Sequence, residues 1–197
     1  MRSFVLADVI TLGNATCGTA AILCCLRYLA ERRSVYVYTA LALLPVALVC
    51  DVLDGSVARW RRKQSAIGAD LDSLADVVSF GVAPAVLGFT LGLRGTWDAA
   101  ILVYFVACGI SRLARFNATA AALADEATGK VKYFEGTPIP TSLTLVVALG
   151  VAFMLGRVDA RLWWGVVELG PWDFHPFSLL YALSGSLMIS TIRVPKP

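Results

Sequence analysis

Charge is what this sequence has least of. Charged residues make up 16% of its 197 positions while hydrophobic residues make up 58%, and a typical soluble domain carries about 25% charged residues. That imbalance excludes a water-soluble globule. Histidine occurs once, at His175, and the five cysteines (Cys17, Cys24, Cys25, Cys50 and Cys108) are odd in number, sit in apolar stretches and form no CxxC pair. Neither a disulfide framework nor a zinc site is expected. A dense run of one charge is also missing: the formal net charge is +3 and scattered, which argues against nucleic acid as a partner. The start of the chain offers one Arg2 and no small-x-small site before a soluble region, so a cleavable signal peptide is not expected. Without internal repeats, low-complexity tracts or linkers, residues 1–197 read as a single membrane domain.

What the chain does have is uncharged runs, at residues 9–26, 34–50, 77–93, 99–111, 136–156 and 177–192. They predict an all-α integral membrane protein with six transmembrane helices. Several runs fall short of the ~20 residues that cross a bilayer, so their helices are expected to extend into charged sequence. The second would continue through Asp51, Asp54 and Arg59, the third would begin near Gly68 and carry Asp72 and Asp76, and the fourth would carry Arg112 and Arg115. Residues 1–14 mix Arg2 and Asp8 with apolar side chains and are expected to form an amphipathic segment on the membrane surface. A cytoplasmic N-terminus places 11 of the 17 basic residues on that side, among them Arg59, Arg61, Arg62 and Lys63. The positive-inside rule therefore favours both termini in the cytoplasm.

The stretch from Asp51 to Asp76 is the most informative. Asp51 and Asp54 are three residues apart, and Asp72 and Asp76 four apart, so each pair shares a helix face. With the basic segment Arg59 to Lys63 as the turn, an antiparallel helix pair brings the four carboxylates together at the cytoplasmic end. Burying unpaired ions costs several kcal/mol each, and Arg59 alone cannot neutralise four of them. Two divalent cations can. All-oxygen ligation points to Mg²⁺ or Mn²⁺, with Ca²⁺ able to occupy a similar site, and two metals suit phosphoryl transfer. Gly55, Ala58 and Gly68 are small and leave space beside the acids, and Arg59 stands where a guanidinium can hold a phosphate oxygen.

The spacing Asp51-x₂-Asp54-Gly55-x₂-Ala58-Arg59-x₈-Gly68-x₃-Asp72-x₃-Asp76 resembles the full signature of the CDP-alcohol phosphatidyltransferase family. The resemblance implies that Asp51, Asp54, Asp72 and Asp76 bind two metals, with Asp51 and Asp72 bridging, and that Asp76 is the catalytic base. It implies CDP contacts from Asp51, Asp54, Gly55, Ala58, Arg59, Ser65, Gly68 and Asp72, with Thr11 and Asn14 closing over the nucleotide. Three further stretches, Ser79 to Ala85, Ser111 to Asn117 and Phe134 to Pro140, are similar to the membrane-embedded phosphatidylserine synthases of that family. That similarity implies transfer of a phosphatidyl group from CDP-diacylglycerol to L-serine with release of CMP, in the cytoplasmic membrane of a prokaryote. Members of the family often form homodimers, and Gly88-x₃-Gly92 is a helix-contact motif of a suitable kind.

An amino-acid acceptor brings a carboxylate into a low-dielectric pocket. Arg112 and Arg115 can meet it, or hold the donor phosphate, and Asn117 and Ser111 can orient the ammonium group. Residues 118–135 read as a polar loop near the site, and Trp97, Trp163, Trp164 and Trp172 as interfacial anchors. Other acceptors, namely glycerol phosphate, inositol phosphate or choline, suit the same chemistry. A divalent-cation transporter would also use intramembrane acids, but it leaves the basic turn and the Gly55 and Ala58 spacing unexplained.

Overall fold

The computed structural model describes residues 6–61, 67–125, 133–169, 171–190 and 193–195. Helix α1 (Leu6–Glu31) turns at Arg32, which adopts φ 55, into α2 (Ser34–Arg61). Helix α3 (Gly68–Asp76) runs through a π-helical turn at Val77–Val82 into α4 (Ala83–Leu91), and α5 (Thr96–Asp125) comes next. Strand β1 (Tyr133–Glu135) and a 3-10 turn (Ile139–Ser142) lead to α6 (Leu143–Met154). The hairpin of β2 (Val167–Leu169) and β3 (Trp172–Phe174), helix α7 (Ser178–Ile189) and β4 (Arg193–Pro195) complete the chain. β1 pairs antiparallel with β4, with Phe134 opposite Val194, and β2 pairs antiparallel with β3.

Helices dominate because lipid offers the backbone no hydrogen-bond partners, and a helix satisfies its own. Four stretches are long and apolar enough to cross a membrane: Leu6–Glu31, Ser34–Val57, Gly68–Leu91 and Thr96–Ala118. The third is the axis of the bundle. In its most apolar window 67% of the residues are buried, against 22–28% in the other three, so it is wrapped by protein where the others face lipid. Its core side chains Phe80, Leu87 and Leu91 pack with Leu44 of α2, Leu149 of α6, and Phe105 and Tyr181 of α5 and α7. The rings of Phe105 and Tyr181 meet edge to face at 5.2 Å.

The structure departs from three expectations. Among the described residues four helices reach spanning length, not six. The fifth and sixth are the shorter apolar segments Ile139–Met154 and Ser178–Ile189. Gly156, at φ 67, lies just beyond the end of α6, and Ser190 leaves α7 in an extended conformation. Second, residues from Leu6 onward belong to α1 itself and form no separate surface helix, because Asp8, Thr11 and Asn14 are buried inside the protein. Third, α5 continues to Asp125, so the first part of the expected 118–135 loop is helical.

The Gly88-x₃-Gly92 motif is used within the chain. A Cβ at Gly88 would lie 2.8 Å from the Tyr181 hydroxyl oxygen, and that hydroxyl donates to the Pro84 carbonyl at 2.7 Å. Gly92 ends α4 at φ 144, a conformation that glycine adopts without steric cost.

Candidate metal centre

The first two helices lie side by side, joined by a two-residue turn, so the start of α1 meets the end of α2. Thr11 Oγ1 donates to Asp54 Oδ2 at 2.6 Å across that contact. The axis helix starts at the same end, and its first two turns carry Asp72 and Asp76. One carboxylate oxygen from each of Asp51, Asp72 and Asp76 lies within 4.8 Å of the others. Asp76 is 7% exposed and Asp54 6%, so the acids sit at the edge of the bundle interior.

Asp54 stands outside that close trio and is engaged by Thr11. Its second oxygen keeps the lone pairs that a cation needs. The four acids foreseen from the sequence are thus at one end of the bundle, three of them in mutual contact range and the fourth held beside them by α1.

The donor set suits a hard divalent cation. All three clustered groups are carboxylates, and among the described residues no lysine or arginine comes within ion-pair distance of them. Two buried acceptors at the site, Asp72 Oδ1 and Asn14 Oδ1, have no hydrogen-bond partner. Buried oxygens without donors are rare, because each costs about 1–3 kcal/mol, and a cation satisfies such atoms as a donor would.

Helix α1 contributes more than the sequence suggested. Asn14 Nδ2 donates to Asp76 Oδ1 at 3.3 Å, and Asn14 is 0% exposed. The Ser79 hydroxyl, in the π-helical turn, donates to the Asn14 carbonyl at 2.9 Å. Thr11 and Asn14 are therefore both buried and both donate to carboxylates of the site. The signal was in the sequence: Asp8, Thr11, Asn14 and Gly18 are spaced by three, three and four, one helix face.

The candidate acceptor residues separate. Arg112 is half-buried, and its guanidinium carbon lies 5.7 Å from the Phe116 ring centroid. Arg115 is exposed. Asn117, expected to meet the acceptor or a phosphate, instead donates through Nδ2 to Ser73 Oγ at 2.9 Å, a tie from α5 to α3. Gly55 is half-buried in α2, Gly68 opens α3, and Ser111 is exposed on α5. Ala58 and Arg59 continue the α2 backbone but their side chains lie outside what is described, as does Ser65 altogether.

A second polar cluster, formed by residues to which the sequence pattern assigned no role, lies at the other end of the bundle. Asp98, fully buried at the start of α5, accepts from the backbone N–H groups of Gly95 and His175 at 3.0 and 2.9 Å. Its Oδ2 also lies 2.6 Å from His175 Nδ1.

Known proteins share this chain's sequence along most of its length. The CDP-alcohol phosphatidyltransferase family model matches residues 4–172. A Saccharomyces cerevisiae protein named CDP-diacylglycerol–serine O-phosphatidyltransferase is 44% identical over 200 residues, covering 100% of this chain and 72% of that protein. One of the same name from Methanocaldococcus jannaschii is 31% identical over 195 residues, covering 99% of this chain and 76% of its own length. Another of that name, from Mycobacterium leprae, is 36% identical over 162 residues, covering 79% of this chain and 48% of that protein, so the match spans about half of the mycobacterial relative.

Proposed function

The chain belongs to the CDP-alcohol phosphatidyltransferase family, and from that premise we propose that it transfers the phosphatidyl group of CDP-diacylglycerol to the hydroxyl of L-serine, forming phosphatidylserine and releasing CMP. The observation that carries this reading is the approach of Asp51, Asp72 and Asp76 to within 4.8 Å at one end of a membrane bundle. A lipid diphosphate can enter there with its acyl chains still in the bilayer. The yeast and archaeal relatives, matched along the whole chain, support serine as the acceptor.

In this reading Asp51, Asp54, Asp72 and Asp76 would hold two divalent cations, Mg²⁺ or Mn²⁺. The cations would offset the negative charge on the diphosphate and on the departing CMP. Asp76 takes the proton of the serine hydroxyl as that oxygen attacks the phosphorus next to the lipid. Arg112, half-buried on α5, meets the carboxylate of the acceptor. Gly55, Ala58 and Arg59, in the last turns of α2, receive the CDP moiety. The helices fix the line of attack, and fixed geometry accounts for much of the rate in such transfers. The site end of the bundle faces the cytoplasm, which supplies the soluble serine and receives the released CMP.

The test is to supply purified protein with CDP-diacylglycerol, L-serine and Mn²⁺ or Mg²⁺ and to measure CMP and phosphatidylserine together. Both products should appear in equal amounts and depend on serine. Asp76→Asn keeps the shape of the side chain without its basicity, and should lower kcat by about a hundredfold or more. Equal rates with glycerol phosphate, inositol phosphate or choline would overturn the choice of acceptor, and divalent-ion flux without CMP would overturn the enzyme.

A further inference from the structure

Asn14 is an unusual side chain to bury in a membrane bundle. It is 0% exposed, its amide nitrogen is 3.3 Å from Asp76 Oδ1, and its amide oxygen has no partner. A carboxylate only accepts hydrogen bonds when ionised, so the atom facing Asp76 is the N–H side and the oxygen is left over. Leaving that acceptor unpaired costs about 1–3 kcal/mol, and a merely structural position would favour leucine or alanine.

The backbone at Asn14 is held as firmly as the side chain. Ser79 Oγ donates to the Asn14 carbonyl at 2.9 Å, and one turn along α1 a Cβ at Gly18 would lie 2.7 Å from Ser79 Cα. Ser79 belongs to the π-helical turn that begins directly after Asp76. Such a turn inserts an extra residue and rotates the helix on its N-terminal side relative to the helix on its C-terminal side. The contacts Gly18–Ser79, Ser79–Asn14 and Asn14–Asp76 therefore connect α1 to the turn itself and to the residue directly before it.

We propose that Asn14 is a positioning residue for the transfer reaction: pinned through Ser79, it holds the Asp76 carboxylate in the orientation that serves metal and proton together. The inference rests on the reading of the acidic cluster as a metal centre. It gives Asn14 a role other than a nucleotide contact: the side chain has no exposed surface and its N–H faces Asp76.

Two substitutions test this, with Mn²⁺ binding measured by electron paramagnetic resonance on the full chain in detergent and without substrates. Asn14→Leu keeps the approximate size and removes the donor, so Mn²⁺ affinity and kcat should each fall about 10–100-fold. KM for CDP-diacylglycerol at saturating metal should stay within about twofold of the parent. Asn14→Asp places another carboxylate beside Asp76, and should bind Mn²⁺ more tightly while kcat still falls. If the leucine variant does not fold, the aspartate variant carries the test alone, because a purely structural role gives no reason for metal affinity to rise. Unchanged Mn²⁺ affinity in the folded variants, or a raised KM for CDP-diacylglycerol with unchanged kcat, would overturn the role of Asn14. Failure of the parent protein to bind Mn²⁺ would instead overturn the metal centre beneath it.

Discussion

Thr11 shows how little chemistry separates a packing residue from a part of the site. Its hydroxyl has one hydrogen and two acceptors in reach, the Ala7 carbonyl of its own helix at 3.0 Å and Asp54 Oδ2 at 2.6 Å. The shorter, charged contact prevails. A hydrogen bond to a charged group contributes about 1.5–3 kcal/mol. Thr11→Val keeps the shape and deletes the donor, so Asp54 should lose its fixed orientation and Mn²⁺ should bind more weakly. Thr11→Ser should restore most of the affinity, and titration of both variants checks it. Asn117 illustrates the converse. Its Nδ2 is taken up by Ser73, between the acids Asp72 and Asp76, so it ties α5 to the placement of α3.

Among the elements, α1 and the axis helix form the working pair, and a glycine sets their distance. The ideal Cβ position at Gly18 comes within 2.7 Å of Ser79 Cα, a backbone atom that cannot swing aside. Gly18→Ala should therefore push α1 from the π-helical turn. Overpacking of that kind costs about 1–3 kcal/mol, and Mn²⁺ affinity should fall along with the thermal midpoint. At the far end, the β2–β3 hairpin and the start of α7 are latched to α5 by Asp98. That carboxylate serves two backbone N–H groups and the His175 ring. Asp98→Ala strands all three, and breaking a buried polar pair costs roughly 3–5 kcal/mol. The thermal midpoint should drop sharply, while Mn²⁺ affinity measured below it stays at the parent value. Comparing the two variants separates loss of stability from loss of the site.

The whole molecule has two unlike ends. The carboxylates and the β1–β4 pair gather at one. At the other lie the Asp98 latch, the ion pair of Arg94 with Asp159 at 3.1 Å, and the edge-to-face stack of Trp97 on Trp172 at 5.7 Å. Between them, outward apolar side chains such as Val103 and Val147, 70% and 64% exposed, suit a lipid surface. The proposed orientation can be read by labelling. In a background without the native cysteines, Trp60→Cys lies at the site end and Arg157→Cys at the opposite one, both at exposed positions. A membrane-impermeant maleimide added to right-side-out vesicles should label position 157 at once, and position 60 only after the membrane is opened. The reverse pattern would place the site outside the cell.

Composition settled the solvent: with 16% charge and 58% hydrophobic residues, this chain had to satisfy its backbone in helices and turn its apolar faces to lipid. Local spacing settled that Asp51 and Asp54 share one face and Asp72 and Asp76 another, because the helical repeat alone requires it. Packing between distant segments settled the rest. No local rule says that α1 lies against the acids, that Asn14 rather than solvent meets Asp76, or that Asn117 is claimed by Ser73. Those contacts join residues 62 and 44 positions apart, and they exist only once the axis helix has been enclosed. The π-helical turn after Asp76 belongs to the same class. Nothing in Val77–Val82 demands it by propensity, and its place is fixed by Ser79 seated against Gly18 and Asn14.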